Sequence, residues 1–355
     1  MTDDQTDNLK NQIASAAEEK CPVAIVGGNS KAFLGQKVDL DNVIHTQGHT
    51  GIISYEPGEL TLTARSGTLL KDIETVLTEH NQMLAFEPPH FGSNATLGGT
   101  IACNLSGPRR PYAGAARDFV LGTRIINGKG EILRFGGEVI KNVAGYDVSR
   151  LMTGAMGTLG LLLDVSLKVL PLPEHETTSS FEMTPGQAIS TMNAWAGKSL
   201  PVSATCYYDQ RLYVRLSGTK SSTLKASEKM GGETVPKAGK FWLSVREQKL
   251  SFFENSEPLW RLSLPGLTQP LEIINRPILM EWSGAQRWFS SSQAPTVIRE
   301  MLEDVGGHAT KFRNHEGVGD VFHPLSRGIK VLHRNLKTAF DPMNILNPGR
   351  QYADL

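Results

Sequence analysis

Three glycine-rich segments carry the residues whose types and spacing could do chemistry. The first, Gly27-Gly28-Asn29-Ser30-Lys31, follows a short apolar run at 23–26. Glycines let backbone N–H groups approach an anion closely, and consecutive amides form a nest for phosphate oxygens. An ordinary tight turn is the other reading of the same five residues. The third glycine of GxGxxG is missing and GxxxxGK[ST] is absent, so nicotinamide and nucleoside-triphosphate sites lose support. The second segment, residues 87–107, holds Pro89, Thr96, Gly98, Gly99, Ala102 and Asn104 with few charges. Gly98-Gly99 again suits close approach to a phosphate, and Thr96 and Asn104 offer side-chain hydrogen bonds. The third joins residues 141–147 to 154–160. Three such loops separated by strands point to one large ligand touched from several sides. A purely structural origin is the alternative. Arg109 and Arg110 could hold a carboxylate or a phosphate, or be solvated surface arginines.

Those loops need elements to position them. Residues 8–19 read as an amphipathic helix with Leu9, Ile13, Ala16 and Ala17 on one face. Residues 60–65 alternate like a half-buried strand, and 68–80 read as a helix. Residues 119–126 and 131–135 are expected strands joined at Asn127-Gly-Lys-Gly130, a hairpin signal. A helix is expected at 148–152 and an apolar strand at 160–170. Further on, helices are expected at 185–195 and 295–305 and strands at 204–216 and 271–282. A last helix is expected at 326–340, with Ile329, Leu332, Leu336 and Phe340 inward, and then a structured turn at 345–350. Hairpins mixed with single helices indicate α+β rather than a doubly wound sheet.

Composition narrows the class. The 355 residues suggest two or three domains at roughly 100–200 residues each. Of 35 glycines, 21 lie between Gly27 and Gly160, whereas all five tryptophans fall after residue 190. The bias separates a ligand-cradling domain from a second domain, with the Pro- and Ser-containing stretch 171–180 as linker. The expected division is 1–175, 178–325 and a C-terminal helix and tail at 326–355. Lys plus Arg and Asp plus Glu balance at 36 each, which argues against nucleic acid or a membrane surface held by net charge. Cys21, Cys103 and Cys206 are scattered, with no CxxC, against a disulfide framework, an iron–sulfur cluster or structural zinc. The polar opening residues and the absence of any run of ~18 apolar residues lead to an expectation of a cytoplasmic chain without leader or membrane span.

The order VGGNSK, YEPGELTLTARSG, GSNATLGGTIACNLSGPRRPYAGAARDFVLG, KNVAGYD and GAMGTLG resembles the FAD domain of vanillyl-alcohol-oxidase flavoproteins, the PCMH-type FAD-binding domain. FDPMNILNPGR is similar to the ending of their 2-hydroxy-acid dehydrogenase branch. Within that branch SGPRRPYAGAARDFVLG, GGHATKFR, VFHPL and LHRNLKTAFDP resemble the FAD-binding E subunits of bacterial glycolate oxidases. The likeness covers 21–170 and 306–350; the middle is matched by length alone. It implies a two-part FAD domain, an α+β cap domain, and a C-terminal segment returning to the FAD domain. Gly27, Gly28, Asn29, Ser30 and Lys31 would wrap the pyrophosphate, and Thr96, Gly98, Gly99, Ala102 and Asn104 would continue the cradle along the ribityl chain. Pro89 is placed with that cradle. Tyr112 and Gly114 would lie near the flavin, Gly145, Tyr146 and Asp147 would help close the site, and the strand from Gly160 would meet the adenine. Covalently flavinylated members carry a histidine in the first glycine loop; Asn29 stands there, so the expected FAD is non-covalent.

Flavin chemistry on a 2-hydroxy acid needs a cation or metal for the carboxylate, a base for the hydroxyl proton, and the α-hydrogen facing N5. Fully active members of the branch carry an AHAGDGNLHP-like motif. Asn314-His-Glu-Gly-Val-Gly-Asp-Val-Phe-His-Pro324 keeps His315, Gly319, Asp320, His323 and Pro324, but sets the two histidines one residue further apart. No metal is expected, and His323, His315 and Arg110 are the catalytic candidates. The leading expectation is an FAD subunit of a glycolate oxidase complex in glyoxylate metabolism. It would oxidise glycolate with a second flavin subunit and an iron–sulfur subunit as partners, through which it would sit peripherally on the inner membrane. A self-sufficient 2-hydroxy-acid (D-lactate-like) dehydrogenase with His323 as base and a flavin-free scaffold stand beside it.

Overall fold

The computed structural model describes residues 3–137, 147–271, 276–316 and 321–354. The chain divides into two compact units. The first comprises Met1–Leu105, Ala115–Pro171 and Gly317–Leu355; the second comprises Ser106–Gly114 and Leu172–Glu316. The C-terminal segment thus returns to the N-terminal unit.

The first unit is built on a five-stranded antiparallel sheet in the order Ile52–Glu56, Thr61–Arg65, Leu161–Lys168, Val120–Ile126, Ile132–Gly136. Leu161–Lys168 is central, and seven of its eight residues are buried. The hairpin at 127–130 forms because the Asn127 carboxamide accepts the N–H groups of Lys129 and Glu131, both at 3.0 Å, while Gly130 takes φ 75°. Helix Thr6–Glu19 buries Leu9, Ile13 and Ala16 against Ile126, Leu161, Leu163, Ile345 and Leu346. Beside it lies a small parallel pair, Ala24–Val26 with Val43–His45, which the tail extends through a parallel bridge from Val23 to Leu346.

The second unit is an eight-stranded antiparallel sheet running Glu233–Thr234, His175–Glu182, Arg211–Gly218, Val202–Tyr208, Leu279–Glu281, Gln286–Ser290, Leu259–Ser263, His308–Arg313. Helix Pro185–Ala196, with a Thr184/Gln187 capping box, packs Ala188, Ile189 and Met192 on it.

Several expectations change. The stretch 171–180 is mostly strand: His175–Glu182 pairs along its whole length with Arg211–Gly218. Its Thr and Ser residues suit a sheet position as well as a linker. Residues 204–216 are two strands, not one, because Asp209 and Gln210 both take positive φ, 51° and 56°, and turn the chain. The helix expected over 295–305 stops at Glu300 and gives way to single turns before Gly306 at φ 68°. Ser106–Gly114 belongs with the second unit: Arg109 pairs with Glu176 at 2.6 Å, and Trp282 Nε1 donates to Gly107 O at 3.0 Å. The strand expected over 271–282 is Leu279–Glu281, part of the expected range lying outside the described residues. Helix Arg327–Phe340 exists, but Ile329 and Leu332 point outward, 45% and 56% exposed; its buried residue is Lys337. The Lys337 ammonium donates to Thr158 O, Leu346 O and the Asp341 carboxylate, and that polar anchor sets the rotation of the helix.

Candidate cofactor site

Strand Ala24–Val26 ends at a cavity of about 270 Å³ in the first unit. Gly27, Gly28, Asn29, Ser30 and Lys31 form one wall. The turn is held by Ala32 N–H to Asn29 O and Leu34 N–H to Lys31 O. Asn29 is the left-handed residue, at φ 56°. The two glycines are required by space instead. A Cβ on Gly28 would overlap the carbonyl of Asn94, and one on Gly27 would lie 2.7 Å from Thr96 Oγ1. Among the described residues, the N–H groups of Gly27, Gly28, Asn29 and Ser30 make no hydrogen bond within the protein. Four successive amides at a cavity wall are an anion nest, and left without a partner they would be costly.

The opposite wall is helix Leu97–Cys103, which contributes Gly99, Ala102 and Cys103. Thr96 lines the cavity and also caps the helix, accepting Gly99 N–H at 3.3 Å. Gly98 is turned away; a Cβ there would meet the side chain of Ser66 at 2.6 Å, so close packing accounts for this glycine. Asn104 ends the helix at φ 51° and is not among the described lining residues; its Oδ1 is buried with no hydrogen-bond partner among the described residues.

Among the described residues, the charges lining the cavity are Lys31, Lys37 and Arg350, with no carboxylate. Lys31 is 6% exposed, and its ammonium reaches Ser30 Oγ, His90 O and Thr100 Oγ1 at 3.4, 3.4 and 3.5 Å. Burial pushes the Cys103 thiol up from 9.0, against the pull of Lys31 and Arg350, so it stays a neutral thiol and not a nucleophile. The cavity therefore suits a phosphorylated, anionic ligand, and the residues fit the pyrophosphate part of FAD.

The sequence patterns missed the third wall. Met156, Asn347 and Arg350 line the cavity from the loop after Gly154 and from the tail. Arg350 donates to Gln36 O at 2.8 Å and Ala32 O at 3.0 Å, tying the tail to the stretch after Lys31. The motif ILNPGR was visible as a turn, but nothing local shows that it closes a loop three hundred residues away.

The other expected site residues are not among the described residues that line this cavity. Pro89 is buried in the first unit, and Gly160 packs beneath Ile125, where a Cβ would lie 2.8 Å from Cδ1. Asp147 caps helix Val148–Met152 and pairs with Arg150 at 2.9 Å. Gly145 and Tyr146 lie outside the described residues, as do Gly319 and Asp320. His315 belongs to the second unit and His323 to the first. The His323 carbonyl accepts the Tyr352 hydroxyl at 3.1 Å. Among the described residues no group of three His, Cys, Asp or Glu side chains could hold a metal.

In the second unit Arg109 is a buried structural arginine, bonded to Glu176 and Ser217. Arg110 lies 4.3 Å over the ring of Trp282, and Arg261 lies 5.3 Å over Phe312. Burial and the charge of Arg110 push the Arg261 guanidinium down to about 10. Tyr112 bonds Ser283 at 2.9 Å, and burial raises its hydroxyl above 10.0. Gly114 ends the short helix Arg110–Ala113 at φ 116°.

Residues 4–136 match the FAD binding domain family. The chain is 46% identical over 352 residues to glycolate oxidase subunit GlcE of Escherichia coli (strain K12), covering 99% of both chains. It is 28% identical over 203 residues to glycolate oxidase subunit GlcD of Bacillus subtilis (strain 168), covering 56% of this chain and 43% of that one. With D-lactate dehydrogenase of Anaerostipes hadrus it shares 30% over 171 residues, covering 48% and 35%. Among solved structures, alkyldihydroxyacetonephosphate synthase superposes with a TM-score of 0.69 over 96% of this chain and 74% of that one, at 14% identity, a likeness of fold. An anion nest where an FAD pyrophosphate would lie, in a chain alike from end to end to one oxidase subunit, makes this protein a member of the GlcE family of FAD-dependent oxidoreductase subunits.

Proposed function

We propose that the chain is the FAD-binding E-type subunit of a glycolate oxidase assembly. The observation that carries the reading is the nest of amides from Gly27 to Ser30 with no partner among the described residues, set in a cavity whose described lining has cations and no carboxylate.

Gly27, Gly28, Asn29 and Ser30 would bind the pyrophosphate through backbone N–H groups, with the Lys31 ammonium and Arg350 supplying charge. Asn29 is a carboxamide, whose nitrogen lone pair is delocalised and cannot attack a flavin methyl, so the attachment is non-covalent. Bound FAD supplies a two-electron acceptor. Oxidation of glycolate to glyoxylate removes a hydride from the α-carbon and a proton from the hydroxyl. Arg110 and Arg261, each resting on an aromatic face, are the groups of this chain suited to a substrate carboxylate. Onward transfer needs partners, because three scattered cysteines cannot hold a cluster. A second flavin subunit with the intact histidine motif and an iron–sulfur subunit fill that role. Among the described residues no helix is long and apolar enough to cross a membrane, so inner-membrane attachment would run through those partners.

The test is the visible spectrum of the purified chain before and after acid precipitation, followed by dye reduction with glycolate. Flavin released to the supernatant, with glycolate activity only when the partners are added, is the expected result. A colourless chain that takes up no added FAD overturns the cofactor assignment. Flavin retained in the pellet overturns the non-covalent one. Turnover of glycolate or D-lactate by the chain alone would make it a self-sufficient dehydrogenase.

A further inference from the structure

Trp282 follows strand Leu279–Glu281 at φ 54°, and Ser283 and Gly284 come next at 55° and 86°. A bulky side chain is disfavoured in the left-handed region and stays there only where its surroundings hold it. Three contacts do so here. Trp282 Nε1 donates to Gly107 O at 3.0 Å, Ser283 N–H donates to Thr205 Oγ1 at 3.1 Å, and the Ser283 and Tyr112 hydroxyls share a hydrogen bond at 2.9 Å. The half-buried indole is thereby laid under Arg110, whose guanidinium carbon is 4.3 Å from the ring centroid. Arg261, in the middle of strand Leu259–Ser263, lies 5.3 Å over Phe312 and feels the charge of Arg110. Among the described residues Arg261 makes no hydrogen bond and no ion pair. Three carboxylates of the same unit answer other groups: Glu176 takes Arg109, Glu247 takes Arg246, and Glu281 takes Gln286 Nε2 and Trp288 Nε1.

We propose that Trp282 is a positioning residue that sets Arg110 beside Arg261, making a two-arginine clamp for the carboxylate of a small 2-hydroxy acid. The inference rests on the subunit reading above, which names the acid, and adds the residue that builds the site. Two like charges brought together away from bulk water repel, and a purely structural arrangement would part them or set a carboxylate against Arg261. Arg261 has no such carboxylate, yet it is only half-buried, so an anion can reach it from solvent. Burial and the charge of Arg110 push its guanidinium down to about 10, which still leaves it charged at neutral pH. A guanidinium lying over an aromatic ring spends its flat face on the ring and keeps the N–H donors of its edge. Those donors match the two oxygens of a carboxylate. The strain at Trp282 and the crowding of the two cations then have one explanation: both weaken the empty chain, and an anion that fills the clamp relieves the repulsion. A structural arginine behaves in the opposite way, since its removal weakens the chain whether or not an anion is present.

The experiment takes the FAD-loaded chain and measures melting temperature and calorimetric binding with glycolate, phosphate and chloride at equal ionic strength. Glycolate should raise the wild-type melting temperature by about 2 °C or more at saturation. Arg261→Met should melt at or above the wild type without glycolate and bind glycolate about tenfold or more weakly. Trp282→Leu should lose affinity to the same degree, and Trp282→Phe, which keeps an aromatic face under Arg110, should recover most of it. Lys225→Met removes an exposed cation from helix Lys220–Met230 and should change neither reading. Wild-type glycolate affinity in Trp282→Leu overturns the positioning role. Wild-type affinity in Arg261→Met, or a lower melting temperature without glycolate, overturns the clamp, as does a wild type that binds no glycolate. Phosphate binding tighter than glycolate, and lost in the same variants, overturns the carboxylate assignment. The subunit reading is decided separately, by glycolate oxidation with the partner subunits added. Oxidation there with wild-type KM and kcat in Arg261→Met overturns the clamp and leaves that reading intact. No oxidation by the assembled wild type overturns the reading, while the calorimetry still decides whether the two arginines hold a carboxylate.

Discussion

The carboxamide of Asn347 joins two distant parts of the first unit: its Oδ1 accepts the N–H of Ile25 at 2.8 Å, 322 residues earlier in the chain. Its Nδ2 donates to Met156 O at 2.7 Å. The backbone supports the same junction, with Val23 N–H bonded to Ile345 O and Asn347 N–H to Val23 O. The strand that delivers the glycine nest and the loop that forms the third wall are thus held at fixed spacing by the tail.

Asn347→Ala should therefore loosen the cofactor more than it unfolds the unit. It strands a half-buried N–H and a buried carbonyl, a cost of about 1–3 kcal/mol, which on binding reads as roughly a tenfold or greater rise in the FAD dissociation constant. Asn347→Asp keeps the Ile25 acceptor but sets a carboxylate against Met156 O, and should bind FAD no better than the alanine variant. Fluorescence titration of the apoprotein with FAD checks both, and wild-type affinity in both would show that the tail does not clamp the site.

Gly28→Ala tests the cradle at its tightest point. A methyl group there overlaps the carbonyl of Asn94, whose own side chain donates back to Gly28 O, so the backbone has to move. FAD binding should be lost or weakened by about a hundredfold, a movement of some 1 Å being enough to misplace several donors at once. Gly58→Ala is the control: nothing lies within 4 Å of its Cβ position, and the change should fall within about 0.5 kcal/mol of wild type in thermal melts.

The elements of the FAD unit were legible because their signals are local. Asn127-Gly-Lys-Gly130 announces a hairpin, and Leu9, Ile13 and Ala16 announce a buried helix face. Five residues of one wall, Gly27 to Lys31, and Thr96, Gly99 and Ala102 of the other could be named from glycine spacing and resemblance; all eight line the cavity. What sequence could not give is contact across distance. Asn347 and Arg350 act through backbone carbonyls hundreds of residues away, and Ser106–Gly114 leaves its neighbours for the other unit. Helix Arg327–Phe340 misled for a related reason. Its apolar periodicity is strong, but a buried lysine with three acceptors outweighs it in choosing which flank faces in.

That lysine gives a stability prediction. Burial lowers the Lys337 ammonium below 10.5, and the hydrogen bond and charge of Asp341 only partly restore it. Lys337→Met leaves the Asp341 carboxylate buried without its cation, although the N–H groups of Ile345 and Leu346 still reach it. A loss of about 3–5 kcal/mol is expected, the usual result of breaking one side of a buried pair. Lys337→Met with Asp341→Asn should recover part of that loss, because no uncompensated charge remains. Equal stability in the single and double variants, measured by urea unfolding, would mean that Lys337 acts by packing alone.

Glu176 gives the second unit its acid limb. Burial alone would raise this carboxyl, but the charge of Arg215, the Ser217 hydroxyl and the Arg109 guanidinium together hold it below its ordinary 4.5. A depressed folded-state value means that the unfolded chain binds the proton first, so stability from this group is present above about pH 4.5 and is lost as pH falls through the folded value. Glu176→Gln removes the carboxylate that Arg109 and Arg215 share. It should lower the melting temperature at pH 7, and the gap from wild type should close as pH falls from 4.5 through the lower folded-state value, where the wild-type group is itself neutralised. A gap that stays constant from pH 7 to pH 3 would show that the charge of Glu176 contributes nothing and that the loss comes from shape.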